Sequence, residues 1–103
     1  MMSTIKSMFG IGPKVDFAQL VADGALILDV RTKAEYQGGH IKGSVNMPLQ
    51  SLESQVSRLP KDRVIITCCA SGMRSGSALN IMKSQGFTQV YNGGGWQSLQ
   101  NKI

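Results

Sequence analysis

Apolar positions along this chain fall into short unbroken blocks, separated by stretches where they recur at helical spacing. Residues 25–28, Ala-Leu-Ile-Leu, form one block and run on into Asp29-Val30-Arg31. An apolar run this short, without polar alternation, suits a strand buried on both faces. Val64-Ile65-Ile66-Thr67, leading into Cys68 and Cys69, is a second such run. Residues 87–91 give a third clear strand, and Ser44-Val45-Asn46-Met47 a shorter one stopped by Pro48. Asp16 is placed to cap a helix over 17–22 that Gly24 closes. Thr32 and Glu35 have capping-box spacing, so a helix starts there and ends at Gly38-Gly39. Leu49, Leu52, Val56 and Leu59 predict a helix closed by Pro60, and Ala78, Leu79, Ile81 and Met82 another, capped by Gly86. Gly93-Gly94-Gly95 then turns the chain into a final helix holding Trp96 and Leu99.

Strands alternating with helices predict an α/β fold, a parallel sheet covered on both faces. No repeat, low-complexity tract or linker interrupts it. The expected organisation is a lead-in segment over 1–14 and one domain over 15–103. In sheets of this kind ligands sit at the carboxyl ends of the strands, and the loop after Cys69 lies at such an end.

Composition narrows the function classes. A chain of 103 residues, 42% apolar and 17% charged, has the balance of one ordinary globular domain. The net charge of +5 is spread over scattered lysines (Lys6, Lys14, Lys33, Lys42, Lys61, Lys83) that do not interleave with aromatics, so no nucleic-acid surface is expected. The excess still attracts a small anionic substrate. The two cysteines are adjacent, a poor geometry for a disulfide, and fit a reducing compartment or chemistry. With one histidine they make a poor ligand set, so no metal site is expected. No run approaches the roughly 20 apolar residues of a membrane span, and residues 1–13 lack the apolar core of a signal peptide. Ile5, Met8 and Phe9 read as part of the loose lead-in. The expectation is a soluble cytoplasmic protein without nucleic-acid or membrane partners.

The chemistry concentrates in Cys69-Ala70-Ser71-Gly72-Met73-Arg74-Ser75, between a buried strand and a helix. A helix start presents unpaired N–H groups and partial positive charge. Ala70, Ser71 and Gly72 are small enough for a tight loop to turn its amides inward as an anion nest. Arg74 adds a cation, in a helical turn where the dipole favours anions, and a bound anion would offset that conflict. All three features favour thiolate over thiol at Cys69. A free cysteine is otherwise a small apolar filler; the order strand, cysteine, small-residue loop, arginine, helix favours the nucleophile.

Cys-x-x-Gly-x-Arg-Ser at 69–75 resembles the active-site loop of the rhodanese-like domains. Leu28-Asp29-Val30-Arg31 through Glu35-Tyr36, then Gly39-His40-Ile41-Lys42-Gly43-Ser44-Val45-Asn46-Met47-Pro48, is similar to that family's N-terminal signature. Gly86-Phe87 through Val90-Tyr91-Asn92, then Gly94-Gly95-Trp96, is similar to its C-terminal one. The resemblance runs from about Val15 to the end. It implies a three-layer fold, a five-stranded parallel sheet flanked by helices, and double displacement without a cofactor. In that scheme the Cys69 thiolate takes sulfane sulfur from a donor such as thiosulfate and passes it to cyanide or a thiol. Backbone amides of 70–74 stabilise the anions, and Ala70, Ser71, Gly72, Met73 and Ser75 form the substrate-binding loop, with Met73 at the entrance. The partners implied are a small anionic sulfur donor and a thiophilic acceptor, either of which could be protein-borne. Cys68 departs from the pattern, since an apolar or aromatic residue usually precedes the family's nucleophile.

Other polar residues have plainer readings. Asp29 and Arg31 project to the same side of a strand and can pair around its end. His40, in a Gly-His-Ile turn, reads as a structural imidazole, because a thiolate of lowered pKa needs no base. Trp96 reads as core or rim packing that could border the site. Two other functions remain open. Counted from Cys68, the spacing to Arg74 is the Cys-x5-Arg of cysteine phosphatases and arsenate reductases. A non-catalytic interaction module is the second alternative, since folds do not dictate function.

Overall fold

The computed structural model describes residues 15–103; the lead-in expected over 1–14 lies outside the described residues. The elements in order are α1 (Phe17–Ala22), β1 (Leu26–Asp29), α2 (Lys33–Gln37), β2 (Val45–Asn46), α3 (Leu52–Gln55, between 3-10 turns Leu49–Ser51 and Val56–Arg58), β3 (Ile65–Cys69), α4 (Met73–Ser84), β4 (Val90–Gly95) and α5 (Trp96–Gln100). The strands form one parallel sheet in the order β2-β1-β3-β4, so β3 lies inside it with β1 and β4 as neighbours. The α/β architecture is the expected one. Five strands are not found: among the described residues there are four, matching the four strand-type runs in the sequence. The remaining described segments are helices and turns.

Side chains of β3 alternate strictly between two core layers. Ile65 and Cys69 pack with Leu28, Val30, Leu52, Val56, Ala78, Met82, Phe87 and Val90. Ile66 and Cys68 pack with Ile27, Ile41 and Leu99, and with half-buried Phe17, Leu20 and Trp96. The period of two along a strand puts the adjacent cysteines on opposite faces. α3 and α4 cover the first layer; α1 and α5 cover the second.

Several elements differ from expectation for identifiable reasons. The helix expected over 49–59 is broken into three pieces. Ser51, Ser54 and Ser57 each donate a hydroxyl to the carbonyl three residues back (Pro48, Ser51 and Ser54, at 3.3, 3.0 and 2.8 Å). Such bonds compete with the helical ladder, and the three-residue repeat suits 3-10 winding. The strand expected over 87–91 runs Val90–Gly95 instead. Phe87 N–H still closes α4 on Met82 O at 3.1 Å, and pairing starts where Val90 meets Ile65. The capping box of α2 is present: Thr32 Oγ1 accepts from Glu35 N–H at 3.2 Å while Glu35 Oε1 accepts from Thr32 N–H at 3.0 Å.

The glycines of 93–95 lie within β4, which carries one residue more than β3 between the pairs Thr67–Asn92 and Cys69–Gly95. Gly94 absorbs the extra residue at φ +79°, the role of glycine in a bulge. A Cβ on Gly93 would lie 2.8 Å from both Ile66 Cγ2 and Thr67 O and 2.9 Å from Leu99 Cδ2. Backbone and core leave it no escape. Gly93→Ala is therefore expected to destabilise the fold by about 1–3 kcal/mol, the usual range for overpacking, as a lower urea midpoint at unchanged m-value. An unchanged midpoint would show that β4 is free to shift at this position.

Candidate active site

Cys69 is the last residue of β3, paired with Gly95, rather than the first residue of the following loop, where the sequence alone puts it. Ala70 and Ser71 are exposed, and Gly72 turns the chain into α4 at φ +105°. That left-handed conformation brings the first amides of α4 back over the strand end. Gly72 N–H donates to Cys69 Sγ at 3.0 Å and Ser75 N–H at 3.3 Å. Gly95 makes this approach possible from the other side, since a Cβ there would lie 2.9 Å from Ala70 O. The sulfur is thus the focus of a backbone nest at a helix N-terminus, with Cys69 1% exposed.

Two opposing effects act on the Cys69 thiol. Burial pushes its pKa up. Hydrogen bonds that the ionised sulfur accepts from the Ser75 hydroxyl and from the N–H groups of Ser75, Gly72 and Ser71 pull it down and prevail, so the net shift is downward. Cys68 has no such donors. It is fully buried among aliphatic side chains, and burial, reinforced by the Asp29 charge, pushes its thiol up to about 12. Neighbours in sequence therefore stand on opposite sides of the ordinary value of 9.0.

Ser75, fully buried, does more than donate its amide. Its Oγ lies 3.6 Å from Cys69 Sγ and donates to Asn92 Oδ1 at 2.6 Å, with Gly72 O at 3.0 Å. Asn92 Oδ1 also accepts from Gly94 N–H at 2.9 Å. Sequence reasoning does not single out Asn92. Its one signal is an asparagine ahead of glycines, where the side chain caps the amide two residues on.

Arg74, in the first turn of α4, is not an unpaired cation. Its Nη1 and Nη2 donate to Glu35 Oε1 and Oε2 at 2.7 and 2.9 Å. This fork-on-fork pair, together with the Thr32 amide, holds the Glu35 carboxyl down at about 2 and raises the Arg74 pKa. Glu35 thereby joins the capping box of α2 to the loop helix, a second role that its spacing from Thr32 does not reveal. Met73, beside Arg74, is 81% exposed at the rim.

Asp29 and Arg31 form a buried ion pair at the end of β1, Arg31 Nη2 donating to Asp29 Oδ2 at 2.7 Å and Nε to Oδ1 at 3.0 Å. Arg31 also donates to the carbonyls of Gly39 and Glu35 and lies 4.8 Å from the Trp96 ring centroid. It ties the 39–40 turn to α5. His40 stacks on Tyr36 at 3.7 Å, with its Nδ1 2.7 Å from Tyr36 O. The structure therefore gathers Cys69, Gly72 and Ser75 into one constellation with Arg74 at its edge, and keeps Asp29, Arg31 and His40 in a separate network. Among the described residues, no cluster of His, Cys, Asp and Glu is arranged to hold a metal, and no helix is long and apolar enough to cross a membrane.

A buried cysteine ends an inner strand of the parallel sheet in this α/β domain, its sulfur beneath the amides that open the next helix. The model of the rhodanese-like domain matches residues 14–102, and the chain belongs to that family. It is 35% identical over 80 residues to the uncharacterized protein YqhL of Bacillus subtilis, covering 77% of this chain and 64% of that protein. It is 31% identical over 74 residues to the thiosulfate sulfurtransferase PspE of Escherichia coli, covering 70% and 71%. The solved human single-domain sulfurtransferase TSTD1 superposes with a TM-score of 0.78 at 25% identity, covering 89% of this chain and 98% of that one.

The opposite pKa shifts predict which thiol reacts. Below pH 9 the thiolate fraction is greater at Cys69 than at Cys68. A limiting amount of iodoacetamide at mildly acidic pH should modify the Cys69 position first, as read by peptide mapping. First modification at Cys68 would overturn the assignment and restore the Cys-x5-Arg reading.

Proposed function

We propose that this protein is a sulfurtransferase that carries sulfane sulfur as a persulfide on Cys69. The observation that carries this reading is the convergence of the Gly72 and Ser75 amides on Cys69 Sγ. The Cys69 thiolate attacks the outer sulfur of thiosulfate. The S–S bond of the donor breaks, its electron pair leaves with sulfite, and a Cys69–S–S⁻ persulfide remains. Cyanide or an acceptor thiolate then attacks the outer sulfur and leaves as thiocyanate or a new persulfide, which returns the Cys69 thiolate. No proton need be supplied at either step, and the chemistry calls on no cofactor. The nest stabilises negative charge on whichever sulfur bears it. The donor is thiosulfate or a small-molecule or protein-borne persulfide, the acceptor is cyanide or a small-molecule or protein-borne thiol, and the unpaired adjacent cysteines suit a reducing compartment such as the cytoplasm. Cys68 as nucleophile lacks comparable support, facing the opposite core layer with a raised pKa.

Incubation with thiosulfate should add the mass of one sulfur atom to the intact protein, and cyanide should remove it. Cys69→Ser should abolish loading and Cys68→Ala should retain it. No mass change with thiosulfate, an organic trisulfide or a persulfide donor would contradict the reading and favour an interaction module.

The Arg74–Glu35 pair makes a second prediction about donor charge. Arg74→Ala leaves the Glu35 carboxylate without its partner near the nest, where it repels anionic donors. kcat/KM for thiosulfate should fall by about tenfold, the cost of a lost charge-assisted contact, with a smaller fall for a neutral trisulfide. Glu35→Gln frees the cation and should favour thiosulfate over the trisulfide. Equal losses for both donors in both variants would mean that the pair only holds the loop in place.

A further inference from the structure

The Ser75 hydroxyl has one proton and three acceptors around it. Asn92 Oδ1 is 2.6 Å away, Gly72 O 3.0 Å and Cys69 Sγ 3.6 Å. The orientation of the Asn92 amide is fixed independently, because Gly94 N–H can only donate and points at Oδ1 at 2.9 Å. An amide oxygen cannot donate in return, so the short contact with Ser75 is a bond from the hydroxyl to Asn92. With its proton so committed, Ser75 turns a lone pair toward the sulfur, and the Cys69 thiol donates to it. The chain Cys69 S–H to Ser75 O–H to Asn92 O=C satisfies every member only while Cys69 is protonated.

From this geometry we infer that Asn92 is a positioning residue that sets the reactivity of Cys69 by competing with its thiolate for the Ser75 proton. When the thiol ionises, Ser75 rotates its O–H away from Asn92 to the sulfur, and Asn92 Oδ1 keeps only the Gly94 amide. When the persulfide forms, charge moves to the outer sulfur and the proton returns to Asn92. The bulge serves this arrangement. It places Asn92 opposite Thr67, one residue out of step with Cys69–Gly95, and Gly76 leaves room for the amide, a Cβ there lying 3.3 Å from Asn92 Nδ2. The inference deepens the proposed persulfide chemistry and rests on it only for the second half of the cycle. The charged pair beside the sulfur is Arg74 of α4 with Glu35 of α2; the Asp29–Arg31 pair at the end of β1 acts on Cys68, the titratable neighbour on the same strand.

The test is the pH profile of Cys69 alkylation by iodoacetamide in the full chain, on a Cys68→Ala background so that one thiol is read. It needs no sulfur transfer, so its outcome is independent of whether thiosulfate loads the protein. Asn92→Ala frees the Ser75 proton and should lower the apparent pKa, with alkylation on the acidic limb about threefold faster for half a unit. Asn92→Asp, a stronger acceptor that still caps Gly94, should raise it. Ser75→Ala should itself raise the pKa and remove the effect of Asn92→Ala. Should the alanine variant fail to fold, the shift caused by Asn92→Asp is measured with and without Ser75→Ala and should shrink by about half or more when the hydroxyl is gone. A purely structural Asn92 would give shifts of one sign in both variants, undiminished by Ser75→Ala, and that result would overturn the inference.

Discussion

A sulfur atom with almost no access to water sits at the carboxyl end of β3, and it can bear negative charge only if hydrogen-bond donors converge on it. Side chains with enough freedom to do so would cost conformational entropy to hold in place. Backbone amides at a helix start are already fixed by the chain, and here those of Gly72 and Ser75 meet at the sulfur. Much of the local architecture serves that convergence. β3 must lie inside the sheet for Cys69 to end on a buried face. Gly72 must turn left-handed for α4 to begin above the strand. Gly95 must lack a side chain for Ala70 to pass, and β4 must bulge at Gly94 to bring Asn92 and Gly95 into their different places.

Charge near the site is used sparingly. Asp29 and Arg31 neutralise one another in the core, and the guanidinium also donates to the carbonyls of Glu35 and Gly39. Removing either partner would leave a buried charge unpaired, and such losses are usually severe. Arg74 and Glu35 form a second neutral unit nearer the surface. The nest therefore depends on dipoles rather than on an exposed cation, and the positive excess of the whole chain acts only as a weak long-range attraction for anions.

Much of this is legible in the sequence. Two unbroken apolar runs mark β1 and β3, weaker stretches mark β2 and only the start of β4, and the Thr32–Glu35 spacing marks the start of α2, because burial and capping leave strong local patterns. The loop 69–75 stands out as a candidate site for the same reason: a thiol, small residues and a helix start are adjacent in the chain. What cannot be read is made by tertiary contact. The Glu35–Arg74 pair joins residues 39 positions apart, and Asn92 meets Ser75 only because β4 lies beside β3. The 3-10 winding around α3 is different in kind. Its serines at 51, 54 and 57 are visible, but the apolar spacing of Leu49, Leu52, Val56 and Leu59 is equally compatible with a regular helix. The fifth strand comes from family resemblance alone and has no apolar run behind it.

The nest favours the thiolate at Cys69, while burial on the other face of the sheet keeps Cys68 a neutral thiol. Ultraviolet titration of thiolate absorbance in the native protein, Cys69→Ser and Cys68→Ala tests it most directly. A one-thiol transition below the ordinary value of 9.0 is expected in the native protein, retained in Cys68→Ala and missing from Cys69→Ser. A first transition at or above that value, or one that survives in Cys69→Ser, would contradict it.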